Sequence, residues 1–434
     1  MELIDWILAD QNIDAAIWAV KHNRGAAGID SMQVDELDEY FKNHREEIKQ
    51  LIREKKYVPQ PVRRVYIPKP DGKQRPLGIP TVVDRVIQEA IAIVLMKGYD
   101  RYFSEYSYGF RPNRNCHQAV TKALEYMNSG YEWVVDLDIE KYFDTVNHDK
   151  LVSILRERIN DDTTLHLIRA FLKAGVMENG LVSPTEQGVP QGGPLSPVLS
   201  NVYLDKLDRE LENRGLHFCR YADDCTIYVG SEMAANRVMR SIADWLGRKL
   251  KLRVNMTKSK VVRPSGSQFL GFRFWKSPRE GWKPKPAKER CKRLKDKVRA
   301  ILCRRKAVAV PLGVTITKLN QLMRGWINYF CLGSMKGFMK EFGEWMRHKV
   351  RVVILKQWKK ADTIYRNLRK TNRICRCGIS DEEIYKVAYS GRGWYKRATH
   401  NAVNFILSPQ VLSQRTKQRP GLVDPLKYYL ARCT

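Results

Sequence analysis

The sequence has little of what a membrane or secreted protein needs. It contains no stretch of 18 uncharged apolar residues, and the longest candidate, residues 86–96, includes Gln88 and Glu89, so no membrane-spanning helix is predicted. The N-terminus lacks the basic start of a signal peptide. The 9 cysteines are scattered singly apart from Cys375 and Cys377, whose spacing is poor for structural zinc. This usage favours reduced thiols in the cytoplasm.

Acidic residues are scarce in the final third of the chain. The whole chain has 77 Lys and Arg against 47 Asp and Glu, a net charge of +30. Residues 1–280 contribute +3 and residues 281–434 contribute +27, which together give +30. This excess is larger than solubility requires, so the pattern predicts a catalytic body joined to a region that binds a polyanion. Nucleic acid is the favoured partner.

Hydrophobic periodicity predicts a mixed α/β body followed by a helical region. Residues 57–80 have the alternation and the Asp-Gly turn of a β-hairpin, and two acid-containing apolar runs further on are predicted strands. Helices are predicted at 1–22, 34–41, 84–96, 234–250 and 281–306, after Pro194, and as an apolar stripe after Pro311. Residues 371–434 are expected to form a basic tail with a few short elements.

Two clusters of acidic residues interrupt the apolar runs. One contains Asp223 and Asp224, and the other contains Asp136 and Asp138. Burying neighbouring carboxylates is costly unless a cation compensates their charge, and oxygen ligands of this kind suit Mg²⁺. If the fold brought the two clusters together, they would form a two-metal site for phosphoryl transfer. The alternative is that Asp223 and Asp224 simply mark a hairpin turn, as adjacent acids often do.

Glycine-containing segments near these clusters predict a close approach of the backbone to a ligand. In residues 188–197, paired glycines precede a Pro and a Ser that begin a helix. A predicted short strand at 269–272 contains a glycine where another backbone can press close. Phe143 follows Asp138 by five residues. From that position a bulky ring could lie against the sugar of an incoming nucleotide.

Five segments, taken in order and spacing, resemble the palm motifs of reverse transcriptases. They are the acidic strand, Gln-Gly-x-x-x-Ser-Pro, Tyr-Ala-Asp-Asp, Asn-x-x-Lys-Ser and Phe-Leu-Gly, at 133–144, 191–197, 221–224, 255–259 and 269–271. Residues 67–81 resemble the fingers motif of the same enzymes, and residues 106–114 resemble the segment that follows it in bacterial members. With residues 319–330 added, roughly residues 1–400 resemble the reverse transcriptase and maturase encoded by group II introns.

The resemblance implies a right-hand polymerase of mixed α/β (α+β) class. Fingers and palm are expected over residues 1–275, including an N-terminal extension over 1–55. An α-helical thumb and maturase (X) domain is expected over 276–370, and a basic C-terminal DNA-binding region over 371–434. The lack of a following His-Asn-His-type nuclease segment is similar to the short class C members.

The resemblance also implies roles for individual residues. Asp138, Asp223 and Asp224 match the catalytic carboxylates, and these acids with the Ile139 carbonyl are expected to hold Mg²⁺, or Mn²⁺ as a substitute. The acids assigned to structure are Asp136 and Asp144. The implied nucleotide-binding residues are Lys69, Arg75, Phe143, Gln191, Gly192 and Lys258. The implied nucleic-acid-binding residues are Asn23, Gly25, Arg63, Arg111, Lys292, Arg293 and Lys297.

Several of these roles have a specific chemical content. Lys69 and Arg75 match residues that grip the triphosphate, as a point charge and a bidentate fork. Phe143 matches the gate that excludes a ribose 2′-OH. For Lys258, two interpretations stay open: a proton donor to pyrophosphate, or a solvated lysine at a strand end. For Arg63 and Arg111, template contact and a solvated surface role both stay open.

The implied function is RNA-directed DNA synthesis combined with binding of the parent intron RNA and assistance in its splicing. The expected partners are group II intron RNA, an RNA template, a DNA primer or target, and dNTPs, with no membrane and with a monomer or weak dimer. The expected location is the bacterial cytoplasm, in association with the nucleoid. The alternatives are a domesticated bacterial reverse transcriptase in defence or repair, and a non-catalytic RNA-binding splicing cofactor.

Overall fold

The computed structural model describes residues 2–68, 72, 74–178, 180–416 and 419–433. It divides the chain into two units, Met1–Ser267 and Gln268–Thr434, each of which is considered by itself. Helices and sheets occur in both units, so the predicted mixed class is confirmed. Across the described residues, no helix has the length and apolar character needed to cross a membrane.

The first unit combines two sheets with helices on several sides. Its described helices are α1 (Leu3–Ile7), α2 (Asp10–Asn23), α3 (Leu37–Arg53), α4 (Val82–Tyr99), α5 (Cys116–Asn128), α6 (Tyr142–Thr145), α7 (His148–Arg156), α8 (Asp162–Lys173), α9 (Leu195–Asn213) and α10 (Glu232–Trp245). Its described strands are β1 (Val62–Pro68), β2 (Gln74–Ile79), β3 (Trp133–Leu137), β4 (Val176–Glu178), β5 (Leu181–Ser183), β6 (His217–Tyr221), β7 (Asp224–Val229) and β8 (Lys260–Val262).

The first sheet contains the hairpin predicted at 57–80. β1 and β2 pair antiparallel from Arg63 opposite Ile79 to Pro68 opposite Gln74, as the alternation predicted. β4 then pairs parallel with β1, and the strand order is β2-β1-β4-β5. The β4–β5 hairpin was not predicted, because each strand has only three residues and all three residues of β5 are exposed, so no apolar alternation marks it.

The second sheet holds the acid-containing strands. Its order is β6-β7-β3-β8, and neighbouring strands are antiparallel throughout. Val134 and Val135 on β3 are both fully buried, because the central strand is covered on its two faces. Helix α10 packs against β3, while α5 and α9 pack against β6. The ends of β3 and β7 are therefore held in a rigid frame.

Helix α4 runs through the core and is buried on most of its sides, as predicted for residues 84–96. Thr81 caps its first turn by accepting a hydrogen bond from the Asp84 amide at 3.2 Å. α4 packs against α2 and α9, so it links the N-terminal helices to the helix behind β6. The single helix predicted at 1–22 is instead two helices, because the chain leaves the helix after Ile7 and restarts at Asp10.

The second unit begins with a small antiparallel sheet and continues as helices. Its described strands are β9 (Gln268–Phe269), β10 (Phe272–Ser277) and β11 (Gly281–Pro286). Its described helices are α11 (Lys288–Ile301), α12 (Arg304–Ala309), α13 (Leu312–Phe330), α14 (Lys336–Trp358), α15 (Ala361–Cys375), α16 (Asp381–Ala388), α17 (Trp394–Ala398), α18 (Asn401–Ile406), α19 (Pro409–Ser413) and α20 (Pro425–Cys433). The short helices of the tail agree with the expectation for residues 371–434.

The helix predicted over 281–306 is wrong at its start. Residues Gly281–Pro286 form β11, which pairs with β10 from Ser277 opposite Gly281 to Phe272 opposite Pro286. Strand order β11-β10-β9 puts β11 at the sheet edge, where Pro284 and Pro286 can be accommodated without a backbone donor. The same prolines are incompatible with a helix interior, so the helix begins only at Lys288.

Candidate active site

Asp223 and Asp224 lie at the tight turn between β6 and β7. Tyr221 pairs with Asp224 across the ladder, so only Ala222 and Asp223 connect the two strands. Ala222 has a φ of +58°, the left-handed conformation that such two-residue turns require. The hairpin-turn interpretation is therefore correct as local structure. Whether other acids lie close to this turn depends on β3, the strand that pairs with β7.

Asp138 reaches this turn from β3. β3 pairs antiparallel with β7, and the last pair of the ladder is Leu137 opposite Cys225. One further step in the same register brings Asp138 opposite Asp224. The two acid clusters, 85 residues apart in the chain from Asp138 to Asp223, thus converge at one end of the sheet.

The backbone of Asp138 is anchored by the segment before β8. Ser259 Oγ accepts a hydrogen bond from the Asp138 amide at 2.9 Å and lies 3.3 Å from the Asp138 carbonyl, to which it can donate. The Asn255 amide donates to the same carbonyl at 2.8 Å. Ile139 forms a bridge with Val254 in which the flanking residues make the hydrogen bonds, so the Ile139 carbonyl points away from Val254. It therefore faces the β7 side.

The pKa values of Asp223 and Asp224 are both raised. Loss of water around the Asp224 carboxylate, followed by repulsion from Asp223, Asp138 and Asp136, raises its pKa from 3.8 to about 6. For Asp223, loss of water again has the largest effect and Asp138 adds repulsion, while the positive charge of Arg75 acts to lower the pKa. Asp224 as a residue is nevertheless exposed at the end of β7, so a cation has access to the turn from solvent.

These groups fit Mg²⁺ as oxygen donors. The carboxylates of Asp138, Asp223 and Asp224 and the carbonyl of Ile139 are the hard ligands that this ion prefers. The repulsion that raises the two pKa values is relieved when a divalent cation binds. Within the described part of the chain, no three Asp, Glu, His or Cys side chains are arranged closely enough to form a complete metal site. The fit therefore rests on donor chemistry and on charge.

The two acids assigned to structure lie beside this cluster with different surroundings. Ser267 Oγ donates to Asp136 Oδ1 at 2.8 Å, and Lys260 Nζ lies 3.9 Å from Asp136 Oδ2. Asp144 is exposed, and its amide donates to the Lys141 carbonyl at 2.7 Å within the turn of α6. Asp136 therefore has its own polar partners, separate from the carboxylates at the β6–β7 turn.

Phe143 and Gln191 line a cleft of about 820 Å³, a size common for ligand sites. Backbone hydrogen bonds attach the loop before α9 to α6. The Val189 amide donates to the Phe143 carbonyl at 2.6 Å, and the Gly188 amide donates to the Val146 carbonyl at 2.7 Å. These bonds fix the position of Phe143 at the cleft.

Glycine lets the same loop touch β2. The Gly78 amide donates to the Gln191 carbonyl at 2.7 Å. Gly192 has a φ of +125°, and a Cβ at this residue would lie 2.5 Å from the Gly78 carbonyl oxygen. A side chain at 192 would therefore be strained and would collide with backbone. Here the two segments meet as backbone against backbone.

The cationic residues predicted to bind phosphate are placed unequally. Lys69 lies outside the described residues. Arg75 lies on β2 opposite Ile67, and its charge acts on the pKa of Asp223. Lys258 Nζ lies 3.5 Å from Asp138 Oδ2 with a largely exposed side chain. The structure thus associates Arg75 and Lys258 with the acid cluster.

The N-terminal loop at residues 23–30 contacts Arg63 and Arg85 of the first unit. Asn23 is the last residue of α2, and Gly25 leaves room for the guanidinium of Arg85, which a Cβ would overlap. Arg63 Nη2 donates to the Ala27 carbonyl at 2.7 Å. Part of the Arg63 guanidinium therefore holds this loop, a contact that sequence reasoning did not foresee.

Arg111 requires a correction. Its side chain is only 5% exposed, and its Nε lies 2.7 Å from Asp100 Oδ1. Its Nη1 donates to the carbonyls of Ser104 and Ser107 at 2.6 and 3.0 Å. Because these donors are used inside the protein, Arg111 serves the packing of this segment and is not placed to contact nucleic acid.

In the second unit, α11 carries the lysines and arginine predicted to contact nucleic acid. Lys292 lines a groove of about 680 Å³ together with Phe338 and the cationic residues Lys285, Lys288, Lys295, Arg299 and Lys336. At 100° per residue, Arg293 and Lys297 lie about 100° and 140° around the helix from Lys292. They therefore belong to a different face. The spacing 288, 292, 295 and 299 is that of one helix face, a signal that could have identified the groove from sequence.

Comparison with known proteins assigns both parts of the chain. Residues 67–274 match the family model described as reverse transcriptase (RNA-dependent DNA polymerase). Residues 291–372 match the group II intron, maturase-specific domain. These matches define the class of the protein as RNA-dependent DNA polymerase.

Individual proteins are similar to parts of the chain. Protein YkfC of Escherichia coli (strain K12) is 36% identical over 257 residues, covering 50% of this chain and 68% of that protein. The group II intron-encoded protein LtrA of Lactococcus lactis subsp. cremoris is 42% identical over 188 residues, covering 43% of this chain and 31% of LtrA. A solved structure titled "Partial Cas6-RT-Cas1--Cas2 complex" is similar at a TM-score of 0.37 and 25% identity, covering 57% of this chain and 43% of that chain.

The chain belongs to the family of reverse transcriptases and maturases encoded by group II introns. The resemblance drawn from the sequence motifs is thereby confirmed. The part of the chain that matches LtrA spans less than a third of LtrA's own length.

Proposed function

We propose that this protein is an RNA-directed DNA polymerase that also binds its parent group II intron RNA, assists splicing and copies the intron into DNA during retrohoming. The observation that carries the proposal is the meeting of Asp138 with the Asp223 and Asp224 turn across β3 and β7. The reverse transcriptase and maturase family matches support the two activities.

The proposed division of the chain follows the family layout. Residues 1–275 form the fingers and palm, residues 276–370 the thumb and maturase domain, and residues 371–434 a DNA-binding region. The concentration of +27 charges after residue 280 supports the assignment of intron RNA, the RNA template and the DNA primer or target to these basic regions. The protein acts as a monomer or weak dimer in the bacterial cytoplasm, in association with the nucleoid.

The reaction joins a deoxynucleotide to a primer 3′-OH and releases pyrophosphate. Asp138, Asp223, Asp224 and the Ile139 carbonyl would hold the divalent cations. Two Mg²⁺ ions, or Mn²⁺ in their place, supply activation of the 3′-OH and neutralisation of charge on the leaving group when bound. The carboxylates therefore act by fixing positive charge at one end of the palm sheet.

Other residues of the first unit orient the nucleotide. Phe143 lines the cleft, where its ring would exclude a ribose 2′-OH and so select dNTPs. Arg75 and Lys69 grip the triphosphate, and the backbone of Gln191 and Gly192 forms the pocket wall. Lys258 places its ammonium group next to Asp138, where it can give a proton to the departing pyrophosphate.

Primer extension tests the proposal directly. We expect Mg²⁺-dependent incorporation of dNTPs on an RNA template with a DNA primer, and its loss in Asp223→Ala/Asp224→Ala. The matched control is Asp149→Ala/Asp162→Ala, which removes two exposed carboxylates from the same unit. Equal activity of the acid-turn variant and the wild type would refute the assignment. A folded, RNA-binding wild type that makes no product would favour a non-catalytic splicing cofactor.

A further inference from the structure

Arg220 is a fully buried arginine directly before the acid turn. It lies on β6, and both it and Asp208 of α9 are 0% exposed. Its Nε donates to Asp208 Oδ1 at 2.7 Å and its Nη2 to Asp208 Oδ2 at 2.6 Å, the geometry of a bidentate pair. No role in the chemistry has been given to either residue so far.

The remaining donors of Arg220 are also used. Nη2 donates to Ser107 Oγ at 2.8 Å, and Nη1 donates to Asn201 Oδ1 at 3.1 Å and to the Ala222 carbonyl at 3.0 Å. Together with the pair to Asp208, these bonds account for all five N–H groups of a guanidinium. A single side chain thus connects α9, the segment around residue 107 and the turn that carries the acids.

The bond to Ala222 is the one that reaches the active site. The Ala222 carbonyl belongs to the peptide unit whose nitrogen is that of Asp223, so fixing this oxygen fixes the plane from which the Asp223 side chain projects. Ala222 itself holds a φ of +58°, which an L-residue adopts only when its surroundings maintain it. Arg220 supplies part of those surroundings.

The same turn is also supported from its other side. Gly109 packs so closely on the turn that a Cβ there would overlap the Ala222 amide nitrogen. Asn201 Nδ2 donates to the Gly109 carbonyl at 2.9 Å while its Oδ1 accepts from Arg220. Backbone bonds between Arg220 and the residues at 106 and 108 complete the connection. The turn is therefore held between a glycine and a guanidinium.

Stability alone does not account for this arrangement. Burying two charges costs solvation that their attraction only partly returns, and apolar residues of similar volume often serve a core at least as well. An apolar pair, however, could not donate a hydrogen bond to the Ala222 carbonyl. The feature that requires an arginine is the control of the turn.

We propose that Arg220, oriented by Asp208 and Asn201, is a positioning residue that sets the direction of the proposed catalytic carboxylates through the Ala222 carbonyl. This inference rests on the proposed polymerase function for its kinetic consequence. Its structural consequence, a turn held in place by one guanidinium, does not depend on the reaction.

The test compares two variants at Arg220 with a stability control. Arg220→Lys keeps the charge but has a single nitrogen, which cannot serve Asp208, Ser107, Asn201 and Ala222 together. Arg220→Met/Asp208→Leu removes the buried pair and keeps an apolar core. Asp161→Ala removes the buried cap of α8, which contacts Ile4, Thr163 and Thr164, and so lowers stability at a different site. All are measured by thermal unfolding, primer extension and hydrogen exchange of the peptide covering 219–226.

The expected result separates kcat from KM. Both Arg220 variants should lose roughly 10²-fold in kcat, the scale associated with misplaced reacting groups, while KM for dNTP changes by less than about twofold. In both Arg220 variants, the amides of residues 221–225 should exchange faster than the same amides of the wild type and of Asp161→Ala. We expect this faster exchange in the double variant even when its unfolding temperature equals that of the wild type. Retained kcat in the double variant, or equal losses in Asp161→Ala at temperatures where all are folded, would overturn the inference.

Hydrogen exchange keeps the two proposals distinguishable. If the wild type shows no primer extension, the polymerase proposal fails, and faster exchange at 221–225 in the Arg220 variants still supports the positioning role. Equal exchange in the Arg220 variants and in Asp161→Ala overturns that role, whatever the activity of the wild type.

Discussion

Ser259 contacts the backbone of Asp138 at both ends of the residue, because its hydroxyl lies 2.9 Å from the Asp138 amide and 3.3 Å from the Asp138 carbonyl. The two residues are separated by 121 positions in the chain. The Ser259 hydroxyl, from the segment before β8, thus fixes the backbone at the end of β3 from which the Asp138 side chain projects. The Asn-x-x-Lys-Ser motif therefore contributes a structural contact to the acid cluster through its serine.

Removal of this hydroxyl should affect activity more than stability. We expect Ser259→Ala to destabilise the protein by about 1 kcal/mol, the usual worth of a lost hydrogen bond, and to reduce kcat by roughly tenfold because Asp138 is less well held. Chemical denaturation and primer extension measure the two effects. Ser129→Ala, which loses an exposed hydroxyl bonded to a helix carbonyl, is the control. Unchanged kcat in Ser259→Ala would contradict the positioning of Asp138 by Ser259.

The raised pKa of Asp224 predicts that the stability of the metal-free protein depends on pH. Its pKa is raised from 3.8 to about 6 in the folded state, so between these values the folded protein binds more protons than the unfolded chain. The stabilisation from protonated Asp224 is complete below pH about 4 and is lost as pH rises through about 6. In EDTA, the unfolding temperature of Asp224→Asn should therefore fall less than that of the wild type between pH 4 and 7.

The control for this measurement is Asp149→Asn, an exposed carboxylate in a surface ion pair. Its pH profile should follow the wild type. Identical profiles for Asp224→Asn and the wild type would show that loss of water and repulsion from the neighbouring acids do not raise the pKa of Asp224.

Added Mg²⁺ should raise the unfolding temperature of the wild type more than that of Asp224→Asn at pH 7, because a ligand that binds only the folded state raises stability.

Phe143 predicts sugar selectivity. Phe143 lines the cleft from α6, where its carbonyl accepts a hydrogen bond from the Val189 amide, so Phe143→Ala should open space for a 2′-OH and raise ribonucleotide incorporation relative to dNTP by roughly tenfold or more. Phe143→Tyr keeps the ring and should retain the preference for dNTPs. Single-nucleotide extension with matched dNTP and rNTP gives the ratio of kcat/KM. An unchanged ratio in Phe143→Ala would remove Phe143 from the gate.

The groove on α11 predicts a salt-dependent contribution to RNA binding. Lys288, Lys292 and Lys295 share one helix face, and their replacement by Ala should lower the slope of log Kd against log salt by about 2 if each contacts a phosphate. The control is the triple alanine variant at Lys56, Lys122 and Lys206, whose ammonium groups are in surface ion pairs of the first unit. Filter binding over a range of KCl gives both slopes. Equal slopes would exclude the groove as a phosphate-binding surface.

Local signals carried much of the fold and of the candidate site. The hairpin at 57–80 was predictable because its alternation and its Asp-Gly turn act over a few residues, and the acid clusters were visible because carboxylates are rare in apolar runs. The approach of Asp138 to Asp224 could not be predicted from the local sequence pattern alone. It depends on the pairing of β3 with β7, which the motif resemblance implied and periodicity could not.

The features that were missed depend on distant partners. Arg220 was visible as one charge in an apolar strand, but Asp208, Asn201 and Ser107 lie on segments whose approach no local rule reports. Arg111 looked like an exposed cation for the same reason, since its contact with Asp100 arises only in the folded chain. The strand at 281–286 is a different kind of miss. Its prolines disfavour a helix, but the basic helical pattern of residues 288–301 was extended back over them in the prediction.

The contact between Gly78 and Gly192 sets how closely β2 approaches the loop before α9, next to Gln191 of the cleft. Beside Gln191 the loop and β2 meet through peptide groups, because the amide of Gly78 bonds to the Gln191 carbonyl and neither glycine carries a side chain. A side chain at 192 would push the loop before α9 away from β2. The distance between these two segments is therefore set by the absence of a single methyl group.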